Sequence, residues 1–454
     1  MGRPVIPMAP DFRDYFAGES VLTLTLATHD ITDMQPGSPT KLIGSLLQVD
    51  MEELRRYLLE DARLEDVDLE IAAPGDSFRA GYVFDIVEPR VKEPGSGSDF
   101  PGILGPMVSA GQGVTHVLVG AAVTVVDGGQ PGGEHGYISR RGGMAKVLEM
   151  SGPAAAATPY SSLHHLVLVP HAYPGIERHA VLNALRLASV KTAVYLAKAS
   201  LYREPDSMRV LELESPSDNG RQGLARVAYI GQVHGHQHGT EVDEHIVYGS
   251  NTRGMLPVIL QPNEWLDGAV VISYSWAARG LETYFHQNHP IINELYRLHG
   301  ARELTFVGAI ATVSSDLQDE LERNSMLAAQ LAKWSLGADG VIVTKYAGGA
   351  PHSDMFETAR LCEELGVKTV ILVSDTAPDR RAESAALMNI PGVDALVNVS
   401  EGGDISWSAP TVERVAAGNP EVAANLIALQ VLQAAFICGV TNNQGASRIQ
   451  SIVY

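Results

Sequence analysis

The densest run of chemistry-bearing side chains is His234-Gly235-His236-Gln237-His238, with Glu241, Asp243, Glu244 and His245 close behind. On an extended segment alternate residues project to one face, so His234, His236 and His238 could share a transition metal, with His245 completing the set. Imidazole with carboxylate suits zinc, iron, nickel or copper. The competing reading is a solvated polar loop. A histidine of this run could also serve as a base near neutral pH.

Three further groups are candidates. Arg140 and Arg141 follow Glu134 and His135 in a glycine-rich stretch, and adjacent arginines can hold a substrate carboxylate bidentately, unless the stretch is a surface loop. His286 and His289 flank Asn288, which offers either a site role, with His286 catalytic, or helix capping by Asn288 ahead of Pro290. Lys345 precedes the turn-forming run Gly348-Gly349-Ala350-Pro351-His352-Ser353-Asp354, where Lys345 could bind an anionic group and His352 is a second substrate-binding candidate. Turn chemistry alone also explains those glycines. Cys362 and Cys438 sit in apolar surroundings and read as core. Walker, dinucleotide-fingerprint and nucleophile-elbow motifs are absent from the sequence.

These groups need elements to hold them. Residues 21–28 alternate like a half-buried strand, and 50–61 form an amphipathic helix with Asp50 as N-cap. The Pro/Gly segment 88–102 cannot be helical. Residues 114–126 are a β-rich run broken at Gly120, 163–171 a buried strand, and 177–200 a long helix. The rhythm then changes. Strands over 304–313, 339–346, 367–375 and 393–400 alternate with helices over 317–336 and 354–365. Such alternation means βαβ units and a parallel sheet, whose ligands sit beyond the carboxyl ends of the strands. The fold class is therefore α/β, with a β-rich N-terminal half followed by a parallel-sheet α/β domain over about 303–400, and the loop 345–354 at the site mouth.

Length and charge narrow the function. With 454 residues the chain exceeds one ordinary core, and 45% hydrophobic against 19% charged residues is a globular balance. A net charge of −20 argues against nucleic acid as a partner and disfavours anionic membrane. The first twenty residues carry charges and prolines where a signal peptide needs an apolar run, and two cysteines cannot build a disulfide framework. A reducing, cytoplasmic location is expected, with no membrane span.

Several segments, in order along the chain, resemble the component B proprotein of the glycine/sarcosine/betaine reductases. They are EPRVKEPGSGSDFPG (88–102), THVLVGAAV (115–123), MSGPAAAATPYS (150–161), the helix at 177–200, HIVYGSN (245–251), LDGAVV (266–271) and NHPIINELYRLHG (288–300). The chain is also similar to the D-proline reductase proprotein.

The resemblance implies a chain that cuts itself into a β part, residues 1–274, and an α part, 275–454. The family's cut falls about nine residues after the L/M-D-G-A motif, which here places it between Tyr274 and Ser275. Where the family commonly has Asn and Cys, this chain has Tyr and Ser. A serine can still perform the acyl shift and elimination that leave a pyruvoyl group, though its hydroxyl is a weaker nucleophile than a thiol. Ser275 is thus either a pyruvoyl precursor, with Tyr274 before it, or an ordinary serine in an uncut chain. The ketone of a pyruvoyl group would condense with the amine of a small amino-acid-type substrate. A second subunit bearing selenocysteine or cysteine would then take the carbon fragment, within an oligomeric reductase complex. The alternatives are different chemistry at a histidine-bound metal, and a non-catalytic scaffold subunit.

Overall fold

A computed structural model describes residues 22–128, 146–213, 223–236, 245–273, 281–346, 348–373, 381, 384, 390, 392–399 and 405–444. In chain order the elements that matter are β1 (Leu24–Asp30), α1 (Met51–Leu58), β2 (Leu64–Ala72), β3 (Phe78–Gly81), β4 (Val83–Val87), β5 (Arg90–Lys92), β6 (Gly113–Val119), β7 (Ala121–Val126), β8 (Val147–Glu149) and β9 (His164–Ala172). Then come α2 (Arg178–Ala197), β10 (Ser207–Leu211), β11 (Arg226–His236), β12 (Val258–Ile259), α3 (Thr283–Gln287), α4 (Pro290–Gly300), β13 (Thr305–Ser315) and α5 (Gln318–Gln330). The last are β14 (Gly340–Thr344), α6 (Ala350–Glu364), β15 (Lys368–Val373), β16 (Ala395–Asn398), β17 (Arg414–Ala416) and α7 (Pro420–Ile427).

The molecule is mixed α/β with several mixed sheets. One sheet runs β10-β1-β6-β5 and a second β2-β9-β7-β4, each combining parallel and antiparallel pairs. The expected break at Gly120 is real: it separates β6 from β7, its φ is +92°, and a Cβ there would lie 2.4 Å from the Ile31 carbonyl oxygen. Only glycine fits both demands. Helix α2 is apolar and long enough to resemble a membrane span, yet most of it is buried, with Ala184, Leu185, Ala188 and Ala193 in the core shared with Val123 and Val125 of β7. It is the core helix of this half. Helix α1 starts as expected, the Asp50 carboxylate accepting from the Glu53 N–H at 2.9 Å.

The parallel unit is a six-stranded sheet, β12-β13-β11-β14-β15-β16, in which only β12 runs antiparallel. Both faces are covered. Ile230, Ile310, Val341, Val343 and Ile371 pack against Ala328, Met355, Ala359 and Cys362, while Tyr229, Phe306, Ala309 and Ala311 pack against Trp265, Ile292 and Leu295. Cys362 is core as expected, its thiol pushed up to about 12 by burial, and Cys438 is buried beside Phe78. The strands and helices expected over 303–400 are present. The sheet also takes in β11, whose residues precede position 274, as a central strand between β13 and β14. In the other direction β17, near the far end of the chain, adds to β3. The two stretches on either side of position 274 therefore share sheets.

Two local expectations are corrected. Helix α6 begins at Ala350 rather than near 354, because Pro351 falls in its first turn, where a missing N–H costs nothing. Asn288 does not cap α4. His289 does, its Nδ1 accepting from Ile292 N at 3.4 Å, with Pro290 next.

Candidate active site

Strands β11 and β13 end side by side at His236 and Ser315, β14 stops level with Gly231, and a buried polar cluster lies at this carboxyl edge. Tyr346, two residues past β14, is 1% exposed. Its N–H donates to Gln232 Oε1 at 2.9 Å, Asn443 Nδ2 donates to its carbonyl at 3.2 Å, and its hydroxyl bonds the Ser273 hydroxyl. The ring of His234 stands edge-on to the Tyr346 ring at 5.3 Å. A bulge between Gln232 and His234 offsets the strand end. Gln232 Nε2 in turn donates to the Pro351 carbonyl at 2.8 Å, tying β11 to the start of α6. Lys345 and His352 are also buried here, with Nζ and Nδ1 3.2 Å apart.

Behind this row lies a second. Tyr229 shares a hydrogen bond with Thr344 Oγ1 at 2.7 Å and donates to Gln444 Oε1 at 3.0 Å, with His289 Nε2 3.0 Å away. Burial holds the His289 imidazole neutral.

Ser273 is the last described residue before Tyr274 and Ser275, and the chain is described again from Leu281. Both flanks are tied down. The Ile272 N–H donates to Thr283 Oγ1 at 3.0 Å, and Thr283 gives its N–H and hydroxyl to Asp85 at 2.9 and 2.8 Å. Arg186 donates to the Ile272 carbonyl and, at 2.8 Å, to that of His245. Next along, Glu282 accepts from Tyr160 OH at 2.9 Å. Asp85 is fully buried, and desolvation pushes its carboxyl up to about 7, outweighing the Thr283 hydrogen bonds. A carboxyl in that range can give or take a proton at neutral pH.

The segment leading into this junction is held from below. Asp267 of Leu266-Asp267-Gly268-Ala269 forms a buried ion pair with Lys92 and accepts from Gly111 N at 2.7 Å and Thr115 Oγ1 at 2.8 Å. Arg90 donates to the Leu266 carbonyl at 2.7 Å while pairing with Glu88. Gly268 has φ +88°, and a Cβ there would lie 3.1 Å from Phe100 Cδ1. Segments 88–102 and 266–269 thus form one clamp around a cavity of about 20 Å³, room for a single water.

The candidates read from the sequence fall into three groups. Lys345 and His352 meet just past the end of β14, and the ring of His234 stands against that of Tyr346, the residue after Lys345. His286 is near in sequence but fully committed: its Nδ1 accepts from Trp265 Nε1 at 3.1 Å, and burial pushes its pKa down to about 3. His245 lies apart, its ring bonded to the Gly249 carbonyl at 2.7 Å. Arg140, Arg141, His238, Tyr274 and Ser275 lie outside the described residues, and only the backbone of His236 is described. Among the described residues no group of three or more His, Cys, Asp or Glu is placed to hold a metal ion.

Sequence reading missed Asp85, Arg186, Thr283 and Gln232. Two left a signal: Asp85 is a lone carboxylate in the apolar run Val83–Val87, and Arg186 a cation among the buried residues of α2. A charge on a buried face needs a partner, and here the partner is the junction.

Fold and site define a mixed α/β protein with a polar, partly acidic cluster at the carboxyl edge of a parallel sheet, gathered around one chain junction. Residues 22–427 match the family of glycine/sarcosine/betaine reductase component B subunits, and the chain belongs to it. It is 35% identical over 352 residues, 76% of this chain and 78% of the other, to the glycine reductase complex component B subunits alpha and beta of Acetoanaerobium sticklandii. It is 33% identical over 387 residues (84% and 86%) to the sarcosine reductase complex component B subunit alpha of Peptoclostridium acidaminophilum. The betaine reductase complex component B subunit alpha of that organism is 30% identical over 361 residues, 78% of each chain. No solved structure matches. The relatives are subunits of multi-component reductases, and this chain is an oxidoreductase-complex subunit of that kind.

Proposed function

We propose that this chain is the substrate-activating subunit of a reductase complex of the glycine/sarcosine/betaine type, in which Ser275 is the precursor of a pyruvoyl group. Its substrate is a small amine or amino-acid derivative that undergoes reductive C–N cleavage. A separate subunit bearing selenocysteine or cysteine completes the reaction, and the cytoplasm is the expected compartment. The observation that carries the reading is the junction itself: the flanks of residues 274–280 are fixed by Arg186, Thr283 and Asp85, all buried, at the carboxyl edge of the sheet.

A pyruvoyl group supplies a ketone that takes up an amine and draws electrons from the adjacent carbon–nitrogen bond. The chain's own residues have the complementary tasks. Arg186 polarises and holds the Ile272 carbonyl. Thr283 fixes the Ile272 N–H, and Asp85 is a proton reservoir titrating near neutrality. Tyr346 locks Ser273 through its hydroxyl.

Intact-mass analysis of the purified full-length chain tests this. Two chains, 1–274 and 275–454, are expected, the second blocked at its start and reactive toward hydrazines. Ser275→Ala should abolish both cleavage and carbonyl reactivity. A single full-length mass without carbonyl would sink the pyruvoyl part and turn attention to a metal at His234, His236 and His238, then measured by elemental analysis.

A further inference from the structure

Strand β13 turns Ile310 toward α5 and α6, where it packs with Ala328, Met355 and Ala359. Side chains alternate along a strand, so Ser314, four residues on, projects to the same face at the strand's carboxyl end. There α5 meets the strand and α6 meets α5. Asn324 of α5 donates from Nδ2 to the Val313 carbonyl at 3.4 Å, and the next residue, Ser325, donates its hydroxyl to Asp354 Oδ1 of α6 at 2.8 Å. Thr358, one turn further along α6, brings a second hydroxyl to the same oxygen at 3.5 Å. Asp354 is 1% exposed, and its other oxygen, Oδ2, has no hydrogen-bond partner among the described residues. The fully buried Ser314 hydroxyl has none there either.

Both groups that reach Asp354 are neutral. Arg323 gives its guanidinium to Asn324 Oδ1 at 3.1 and 3.0 Å. Lys345 meets His352, which projects about 200° around α6 from Asp354. A buried carboxylate without a counter-charge is costly, and burial pushes the Asp354 carboxyl up to about 6, with the two hydroxyls opposing. At neutral pH the group is still mostly ionised.

We propose that Asp354, with Ser325 and Ser314, forms a binding site for a small monovalent cation, an ammonium or alkali-metal ion, at the carboxyl end of β13. One carboxylate balances one positive charge, and carboxylate and hydroxyl oxygens suit such an ion. Calcium or magnesium would bring a second charge, and Glu320 at the start of α5 is engaged with the Ser315 hydroxyl at 2.6 Å. Gln232 ties the start of α6 to the junction cluster, so the ion steadies the helix on which that cluster leans.

Thermal unfolding of the full-length chain at constant ionic strength tests this, with choline chloride exchanged for ammonium, sodium or potassium chloride. At least one of the three small ions should raise Tm along a curve that saturates, as binding to the folded state requires. The ion with the lowest half-saturating concentration identifies the occupant as ammonium or alkali metal. Asp354→Asn removes the charge but keeps an acceptor for Ser325, and should unfold at one temperature in all four salts. Ser314→Ala should raise the half-saturating concentration roughly fivefold, which keeps the test decisive should Asp354→Asn fail to fold. Equal Tm in all four salts would overturn the assignment, as would a rise that survives Asp354→Asn, an unchanged curve in Ser314→Ala, or a larger rise with magnesium chloride. Cleavage at 274 plays no part in the measurement, so its outcome and that of the mass analysis are read separately.

Discussion

Asp267 and Lys92 meet in a clamp built from two segments far apart in the chain. Both are buried, so removing one partner leaves the other charge buried without its counter-ion. Asp267→Asn and Lys92→Met should each destabilise the protein by about 3–5 kcal/mol. The double variant should cost less than the sum, since neither charge is then left alone. Urea unfolding checks both. The buried histidines predict the pH response. His165, His286 and His352 have folded pKa values lowered from 6.5 to about 4, 3 and 3, so each is neutral in the fold and protonates on unfolding. Their contribution is complete above pH 6.5 and is lost as the pH falls toward those values, at about 1.4 kcal/mol per unit per group. Asp85 and Asp354, raised from 3.8 to about 7 and 6, act oppositely: their burial penalty is relieved as the pH falls through the same window. His29, His116 and His289 are shifted the same way as these three histidines, and Asp99, Glu149 and Glu264 the same way as the two acids, so the histidines outnumber the acids six to five. Stability should decline on the order of 1 kcal/mol per pH unit between 6 and 4, and His286→Gln should flatten that slope; a flat or rising profile would contradict the neutral-histidine assignment.

Elements were legible wherever local chemistry decides them. Asp50 ahead of an amphipathic run, the Gly120 break, and the alternating strands and helices after 304 all carried their own signals. The start of α6 was harder, because a proline marks either a loop or a first helical turn. Strand β11 was harder still. Its histidines drew attention as chemistry, but nothing local says that its neighbours are strands much further along the chain. The site suffered from the same blindness. Lys345 and His352 were legible at the mouth of the sheet, whereas Asp85 and Arg186 reach the junction only through the tertiary fold. Long-range packing also sets the next prediction. Arg79 and Glu149 are fully buried, and Arg79 donates to the carbonyls of Leu426 and Pro410 at 2.5 and 3.1 Å. Arg79→Met should leave those carbonyls and the Glu149 charge unsatisfied and loosen α7 from β3. Faster amide exchange over 420–427 than over 340–344 would report it; equal protection in the variant and the wild type would refute it.

For the whole molecule, interlaced sheets decide what a cut at 274 would do. Strand β11 sits between β13 and β14, and β17 extends the sheet of β3 and β8. A chain severed after Tyr274 should therefore remain one particle in size-exclusion chromatography and separate only in denaturant. Two species resolved under native conditions would be incompatible with this topology.

The central place of β11 also bears on timing. The strand ends at His236, but the last of its two flanking strands is complete only at Thr344. At roughly 5–20 residues per second a ribosome needs on the order of ten seconds to supply the rest. Until Ser315 completes β13 the apolar run Val227–Ile230 has no partner strand, and until Thr344 one of its edges stays open. Any bond-breaking that depends on the finished sheet must wait for that moment, so a nascent chain stalled before residue 344 should carry an uncut Tyr274–Ser275 bond.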